Sequence, residues 1–378
     1  MPAPAVRTPL AALLAERIRA RGSMTFAEYM DACLYHPEYG YYSGDSLRRL
    51  TDYYTSVDVH PIFGRLLARQ FMGMWEILGR PQPFWLVEAG AGAGGLAAHI
   101  LDFAAEDAAG EFYPALRYCA VEVSATRRKA LAAKLERHMG AGRAFSASDL
   151  PAEIPEGCIF SNELLDAMPV HRVVVEGGEL REIYVDLEGE NFADRLGALS
   201  TPELSAYFAR QQVRLAEGQQ AEASLAACQW IEEAGRRLGR GFVLSVDYGY
   251  EARELYDERH MRGTLLAYEQ HRAGEDFYRA PGEQDLTAHV NFTAMDKCGA
   301  RASLARTGLV SQAHFLMALA GASDFADLRR PEQGELEQLR ARLQFKNLAN
   351  PEGMGETFRV FIQHKGIPAP RLTGLEPL

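Results

Sequence analysis

The stretch Phe84 to Leu96 constrains the fold more than any other part of the chain. Phe84-Trp85-Leu86-Val87 is an apolar run of strand length, and Glu88 follows it. Gly90, Gly92, Gly94 and Gly95 then crowd a short turn, and Leu96-Ala97-Ala98-His99-Ile100-Leu101 opens a helix. A strand feeding a glycine turn and a helix start is the first unit of a nucleotide-binding α/β fold. Glycine lets backbone approach a ligand, and the free N–H groups at the helix start face it.

Two patterns fit this turn. Gly90, Gly92 and Gly95 satisfy G-x-G-x-x-G, the dinucleotide fingerprint. Glu88 with Gly90, Gly92 and Gly94 satisfies E-x-G-x-G-x-G, the pattern of S-adenosylmethionine (SAM) methyltransferases. Glu88 favours the second. SAM carries an ammonium and a sulfonium, which a carboxylate at a strand tip suits, whereas a pyrophosphate there meets like charge. A turn with no ligand is disfavoured, since each glycine costs about 0.5–1 kcal/mol of backbone entropy relative to alanine.

An α/β rhythm surrounds this unit. Apolar spacing predicts helices over Pro9 to Ala20 and Pro61 to Leu78, and Thr25-Phe26-Ala27-Glu28 is a capping box for another through Leu34. Leu116 to Glu122, Arg143 to Ser146, Gly157 to Asn162 and Gly241 to Gly249 read as further strands. A helix capped by Ser124 is expected over Ala125 to Met139. Val170 to Val175 and Leu180 to Leu187 flank Glu176-Gly177-Gly178-Glu179 as a hairpin. Helices are expected over Pro202 to Glu217, Glu222 to Leu238, Met295 to Thr307, His314 to Ala320 and Glu332 to Gln344. Strands are expected over Gly263 to Tyr268 and Thr357 to Gln363, and Arg279 to Phe292 reads as a polar loop.

Composition narrows the function classes. A net charge of −11 disfavours general nucleic-acid binding and suits a basic partner. No apolar run approaches the roughly 20 residues of a membrane span. Five cysteines form no C-x-x-C pair, which argues for free thiols and against a zinc cage, so no metal is expected. The first residues carry arginine and no acid before Glu16, but they lack the serine of an organellar presequence and run straight into a periodic helix. A cytoplasmic protein is the expectation from these features.

Ligands of open α/β sheets bind outside the carboxyl ends of the strands. The candidate strands end there in Glu88, Glu122, Asn162-Glu163 and Asp247. An acid in the position of Glu122 can hold both hydroxyls of a ribose, in SAM or in a dinucleotide alike, or it can serve helix entry beside Ser124. Asp149 can accept an adenine amino group or remain a solvated loop acid. If the turn after the fourth strand is helical, Glu163 and Asp166 lie on one face, where two carboxylates can grip a guanidinium. Their other reading is a capped helix start complementing the dipole.

The chain resembles the MidA family of SAM-dependent methyltransferases. The resemblance runs nearly end to end through Leu34 to Tyr42, Thr51 to Ser56, Val87 to Gly95, Val121 to Ser124, Ser161 to His171, Val246 to Gly249, Gly282 to Phe292 and Met354 to Val360. Ala91 and Ala93 replace the proline and basic residue usual in that family's glycine loop, and Thr55 to His60 departs from its usual Thr-Ser-Pro-Glu. The resemblance implies a Rossmann-like, seven-stranded α/β fold with an N-terminal helical, tyrosine-rich cap (1–80). A methyltransferase domain (81–378) follows, with an insertion around the acceptor site at about 170–238. It implies SAM as cofactor, held by Glu88, Gly90, Gly92, Gly94, Glu122, Asp149 and Asn162. It implies a protein arginine side chain as acceptor, with Asn162, Glu163 and Asp166 at the methyl-transfer site and Tyr248, Asp285 and His289 on the substrate side. The rivals are a methyltransferase for a small molecule or another protein side chain, a SAM-binding assembly factor without turnover, and a nicotinamide dehydrogenase. The oligomeric state stays open, a homodimer included.

Overall fold

Seven runs of the sequence form the main order of an eight-stranded sheet: β1 (Phe84–Ala89), β2 (Leu116–Val121), β3 (Ala144–Ala147), β4 (Ile154–Asn162), β5 (Leu238–Tyr250), β6 (Ala305–Ser311) and β7 (Phe358–Lys365); the short strand Val290–Asn291 pairs with the end of β5. Their order is β3-β2-β1-β4-β5-β7-β6. The first five are parallel, and β7 runs antiparallel to both β5 and β6. The order reverses between β1 and β4, which puts the topological switch point beside the glycine turn.

This computed structural model describes residues 8–43, 60–106, 110–269, 272–330, 334–350 and 354–378. The expected stretch Thr51 to Ser56 lies outside the described residues. The chain divides into two units. One comprises Met1–Tyr53, Leu165–Ile231 and Gly249–Cys298, and the other Tyr54–Leu164, Glu232–Tyr248 and Gly299–Leu378.

The second unit holds the main order of that sheet. The helix Ile62–Ile77 buries Phe63, Leu66, Leu67, Phe71 and Met74 at helical spacing. They share a core with Leu86, Phe160, Leu244, Val360 and Ile362, which alternate onto one sheet face. Phe71 meets Phe160 with ring centres 4.8 Å apart. Burying each such side chain contributes about 1.5–3 kcal/mol. At the rim Arg65 is buried against Glu106 and Asp327, and Arg69 adds a second cation to Asp327. Burial raises the Asp327 pKa, but the two arginines outweigh it and hold the carboxyl below its usual range.

The first unit is built on antiparallel pairing. His171–Glu176 and Glu179–Glu188 form the expected hairpin. Gly177 and Gly178 both take positive φ, 62° and 78°, as a two-residue turn matched to strand twist requires. The Glu217 carboxylate accepts from both of their N–H groups, at 2.7 and 2.9 Å. Asn191–Gly197, Gln220–Ala223 and Met24–Thr25 extend the hairpin to five strands. The helices Pro9–Arg21 and Phe26–Tyr35 pack Leu10, Leu14, Ile18, Met30 and Leu34 with Val185 and Leu286. Thr25 and Glu28 form the expected capping box.

Several expected helices are shorter than their patterns. Ala125 to Met139 breaks at Leu135 into Ala125–Lys134 and Glu136–Gly140. Pro202 to Glu217 reduces to Glu203–Arg210, and Glu222 belongs to the strand Gln220–Ala223, before the helix Leu225–Arg237. Met295 to Thr307 divides into the helix Phe292–Arg301 and the start of β6. Ser303, at φ 65°, ends that helix. Pairing with β7 then overrides the helical preference of an Ala- and Arg-rich sequence. The polar loop Arg279 to Phe292 is mostly buried and contains the short strands Asp285–Thr287 and Val290–Asn291.

Two glycines let the central strands meet. A Cβ on Gly157 in β4 would stand 1.9 Å from the Trp85 carbonyl oxygen, and one on Gly241 in β5 would stand 1.9 Å from the Gly157 carbonyl oxygen. Gly157→Ala should therefore lower the unfolding free energy by about 3 kcal/mol or more, the upper range for overpacking. A Cβ on Gly140 would meet nothing within 4 Å, so Gly140→Ala should change it little. Urea unfolding of the two variants checks this.

Candidate active site

The glycine turn is fixed from three sides. The N–H groups of Gly90 and Ala91 both donate to the Val121 carbonyl at 2.9 Å, which ties the end of β1 to the end of β2. Gly90, Gly92 and Gly94 take φ of 77°, 54° and 80°, a region that strains any residue with a Cβ. A Cβ on Gly90 would meet Leu164 Cδ1 at 3.1 Å, and one on Gly94 would meet Leu131 Cγ at 3.0 Å. A Cβ on Gly92 would meet nothing within 4 Å. The outer two glycines are thus packed, while the central one borders open space. The helix Gly95–Ala104 begins directly after, with no side-chain cap on its first N–H groups.

Glu122 lies just past β2 and is buried. One carboxylate oxygen accepts from Gly92 N–H at 3.0 Å, the other from Ser124 N–H at 2.7 Å. It joins the turn to the start of Ala125–Lys134, so it fills the helix-entry role and faces the loop at once. Each carboxylate oxygen has further acceptor capacity, so the group can still take hydroxyl donors. Glu88 lies one residue before the end of β1. It is buried, and its carboxylate accepts from the Tyr118 hydroxyl at 2.6 Å. Asp149 is exposed beyond β3, pairs with Arg237 at 3.3 Å and accepts from Leu150 N–H. The structure therefore joins Glu122 to the glycine turn by hydrogen bonds, and joins Glu88 and Asp149 to other partners.

After β4 the chain turns sharply. Glu163 sits at φ 51° and donates its N–H to the Val246 carbonyl at 2.9 Å. The Asn162 amide donates to the Glu163 carboxylate at 3.2 Å. Leu164 N–H donates to the Asp247 carboxylate at 3.1 Å, and Asp247 also accepts from Tyr248 N–H. The turn is not helical, so the three-residue spacing of Glu163 and Asp166 does not place them on one helix face. The left-handed Glu163 is the physical cause, because an α-helix cannot start through it. The sequence marked Asp247 as a strand-tip acid but not its task. It positions Leu164, whose side chain packs on Gly90.

The remaining candidates lie elsewhere. Tyr248 belongs to the second unit and packs edge-on against Phe358, ring centres 5.3 Å apart. Asp166, Asp285 and His289 belong to the first. Asp166 is buried and its carbonyl accepts from Ala288 N–H at 3.0 Å. Asp285 is buried, accepts from the Tyr42 hydroxyl at 2.8 Å and pairs across strands with Tyr268. Burial, then Asp166 and Asp285, raises the Tyr268 pKa. His289 lies 5.4 Å from the Tyr250 ring centre. Burial, then His260, lowers its pKa to about 4, so its imidazole is neutral at pH 7. Among the described residues, no group of three or more His, Cys, Asp or Glu is arranged to hold a metal ion, and no helix is long and apolar enough to cross a membrane.

Known proteins resemble this chain in sequence and fold. A family described as S-adenosyl-L-methionine-dependent methyltransferase matches residues 66–310. A fruit fly (Drosophila melanogaster) protein named protein arginine methyltransferase NDUFAF7 homolog, mitochondrial, is 27% identical over 96% of this chain and 86% of its own. The human protein arginine methyltransferase NDUFAF7, mitochondrial, is 28% identical over 97% of this chain and 85% of its own. A COG1565 superfamily protein from Burkholderia thailandensis superposes with a TM-score of 0.85 at 30% identity, covering 98% of this chain and 96% of its own. A structure of a COG1565 superfamily member from the same organism, bound to S-adenosyl-homocysteine, gives a TM-score of 0.83 at 30% identity, covering 98% and 97%. The expectation of a cytoplasmic protein is overturned, because the fly and human relatives are named mitochondrial. Free thiols report a reducing environment, and they do not single out one compartment.

The depressed His289 pKa fixes a pH dependence. The unfolded imidazole titrates near about 6.5 and the folded one lower, so the unfolded state binds the proton first as pH falls. Stability from this residue is complete above about pH 6.5 and is lost progressively toward pH 4, by roughly 2–3 kcal/mol. His289→Gln should flatten that limb in urea unfolding between pH 7 and 4.5, and an unchanged limb would exclude the buried neutral imidazole.

Proposed function

The chain belongs to the S-adenosyl-L-methionine-dependent methyltransferases, and from that premise we infer that its acceptor is an arginine side chain of a protein. The observation that carries the cofactor half is the left-handed Gly90–Gly94 turn, locked to Glu122 and bordering open space at Gly92. Gly92 brings no side chain to that space, which suits the close approach of a nucleoside-bearing ligand. In this reading Glu122 accepts from the ribose hydroxyls, and the uncapped N–H groups of Gly95–Ala104 lie nearby as donors. Bound SAM supplies a methyl group on a positively charged sulfur, which is an electrophile.

The acceptor half rests on Asn162 and Glu163 at the end of β4, with the names of the relatives in support. A guanidinium nitrogen is a poor nucleophile while its lone pair is delocalised. A carboxylate oriented by the Asn162 amide can hold two guanidinium N–H groups, concentrate the cation's charge away from the attacking nitrogen, and accept the proton it releases. The enzyme's work is otherwise positioning, holding the nitrogen in line with the bond that breaks. A net charge of −11 favours a basic polypeptide substrate.

Calorimetry should detect SAM binding and no NADH binding. Gly92→Val should abolish the SAM signal while the variant still unfolds cooperatively, at a melting temperature lowered by the strain of a β-branched residue at φ 54°. Wild-type affinity in that variant would move the cofactor off the loop.

Purified protein added with radiolabelled SAM to a lysate depleted of the endogenous protein should label a protein band that the depleted lysate alone does not, and mass spectrometry of that band should find methyl-arginine. Labelling of small molecules only would reassign the acceptor. Glu163→Gln should keep SAM affinity within about twofold while single-turnover arginine methylation falls at least a hundredfold, within the range for loss of a general base. Full turnover in that variant would remove Glu163 from the chemistry and leave the methyltransferase assignment intact.

A further inference from the structure

The parallel strands β1, β2 and β3 begin at the end of the sheet opposite the glycine turn, and there the surface dips into a cavity of about 570 Å³. Pro83, Pro114, Arg117, Arg143 and Phe145 line it. Arg117 stands directly across the β1–β2 register from Trp85. Its guanidinium carbon lies 4.5 Å from the Trp85 ring centre and 5.5 Å from that of Phe145. The two rings meet edge-on at 6.1 Å. Arg143 is anchored by one Nη1–H to the Pro114 carbonyl, which leaves the rest of its donors open.

Neither guanidinium has a carboxylate within ion-pair distance among the described residues. Arg65, Arg172, Arg237, Arg240 and Arg279 all have one. In a chain with 51 acids and 40 bases, two arginines that share a cavity and lack an acid are a charge left to be met from outside. Pro83 and Pro114 bring no N–H to the wall, so the guanidiniums are the strong donors. Stacking on Trp85 and Phe145 holds Arg117 in place, which lowers the entropy lost when it closes on a ligand.

We propose that this cavity is an oxyanion site, separate from the methyl-transfer chemistry, where Arg117 and Arg143 together grip a carboxylate or phosphate group. The planar fork of a guanidinium matches the paired oxygens of either group. A free phosphate and an acidic side chain of a peptide present the same chemistry, and the test separates these sources.

The intact protein is titrated at low salt with inorganic phosphate and, separately, with an acetylated tetraglutamate peptide, read by tryptophan fluorescence and calorimetry. The site predicts saturable binding of at least one probe, with a dissociation constant near about 1 mM or tighter. That binding should weaken with added salt. The Arg117→Gln/Arg143→Gln double variant should bind at least tenfold more weakly, and Arg117→Lys, which keeps the charge but loses the fork, should fall between. Whichever probe binds identifies the source. If the double variant fails to melt cooperatively, Arg143→Gln alone carries the comparison, since it gives up only one bond to a carbonyl. No saturable binding of either probe overturns the proposal, as does equal binding by wild type and the folded variant.

Discussion

The left-handed path of Gly90, Gly92 and Gly94 is the constraint on which the cofactor side of this enzyme depends. Three consecutive alternate residues at positive φ hold only if the surroundings leave no other route. Here Leu164 and Leu131 close in on the outer glycines, and Val121 and Glu122 take the backbone hydrogens between them. Those four groups come from the ends of β2 and β4 and from the following helix. The turn is therefore as rigid as the sheet beneath it, and the binding surface is preorganised before any ligand arrives.

The same logic extends to the other side of the switch point. Asp247 is fully buried at the end of β5, and its two oxygens order Leu164 and Tyr248. A charge in that position would be costly unless hydrogen-bonded, and the backbone N–H groups beside it meet that need. Asp247 thus acts on the glycine turn through Leu164, one strand removed. Replacing it by a residue of equal size and no charge would alter the loop through Leu164.

Much of the sheet was legible because buried parallel strands are written as predominantly apolar runs. Phe84 to Val87, Leu116 to Val121, Cys158 to Phe160 and Phe242 to Val246 needed no other information, and Thr25-Glu28 and Gly177-Gly178 announced their own local geometry. Ala305 to Ser311 and Gln220 to Ala223 were not legible. Their strand character comes from distant partners, β7 and the hairpin, and no local propensity reports those pairings. Glu122 could be read as a site residue from its place after a strand. The left-handed Glu163 could not, because a non-glycine residue at positive φ leaves no trace in composition. That one dihedral decided whether two acids three apart share a face.

β7 occupies its place in the sheet between β5 and β6, although it is the last strand in the chain. During synthesis β5 therefore waits with one edge open while more than a hundred residues follow it. An open edge on a long apolar strand is a template for pairing with the wrong chain. Sheet closure therefore waits for Phe358–Lys365 to emerge, and a chain stalled before that point exposes the open edge of β5 to mispairing.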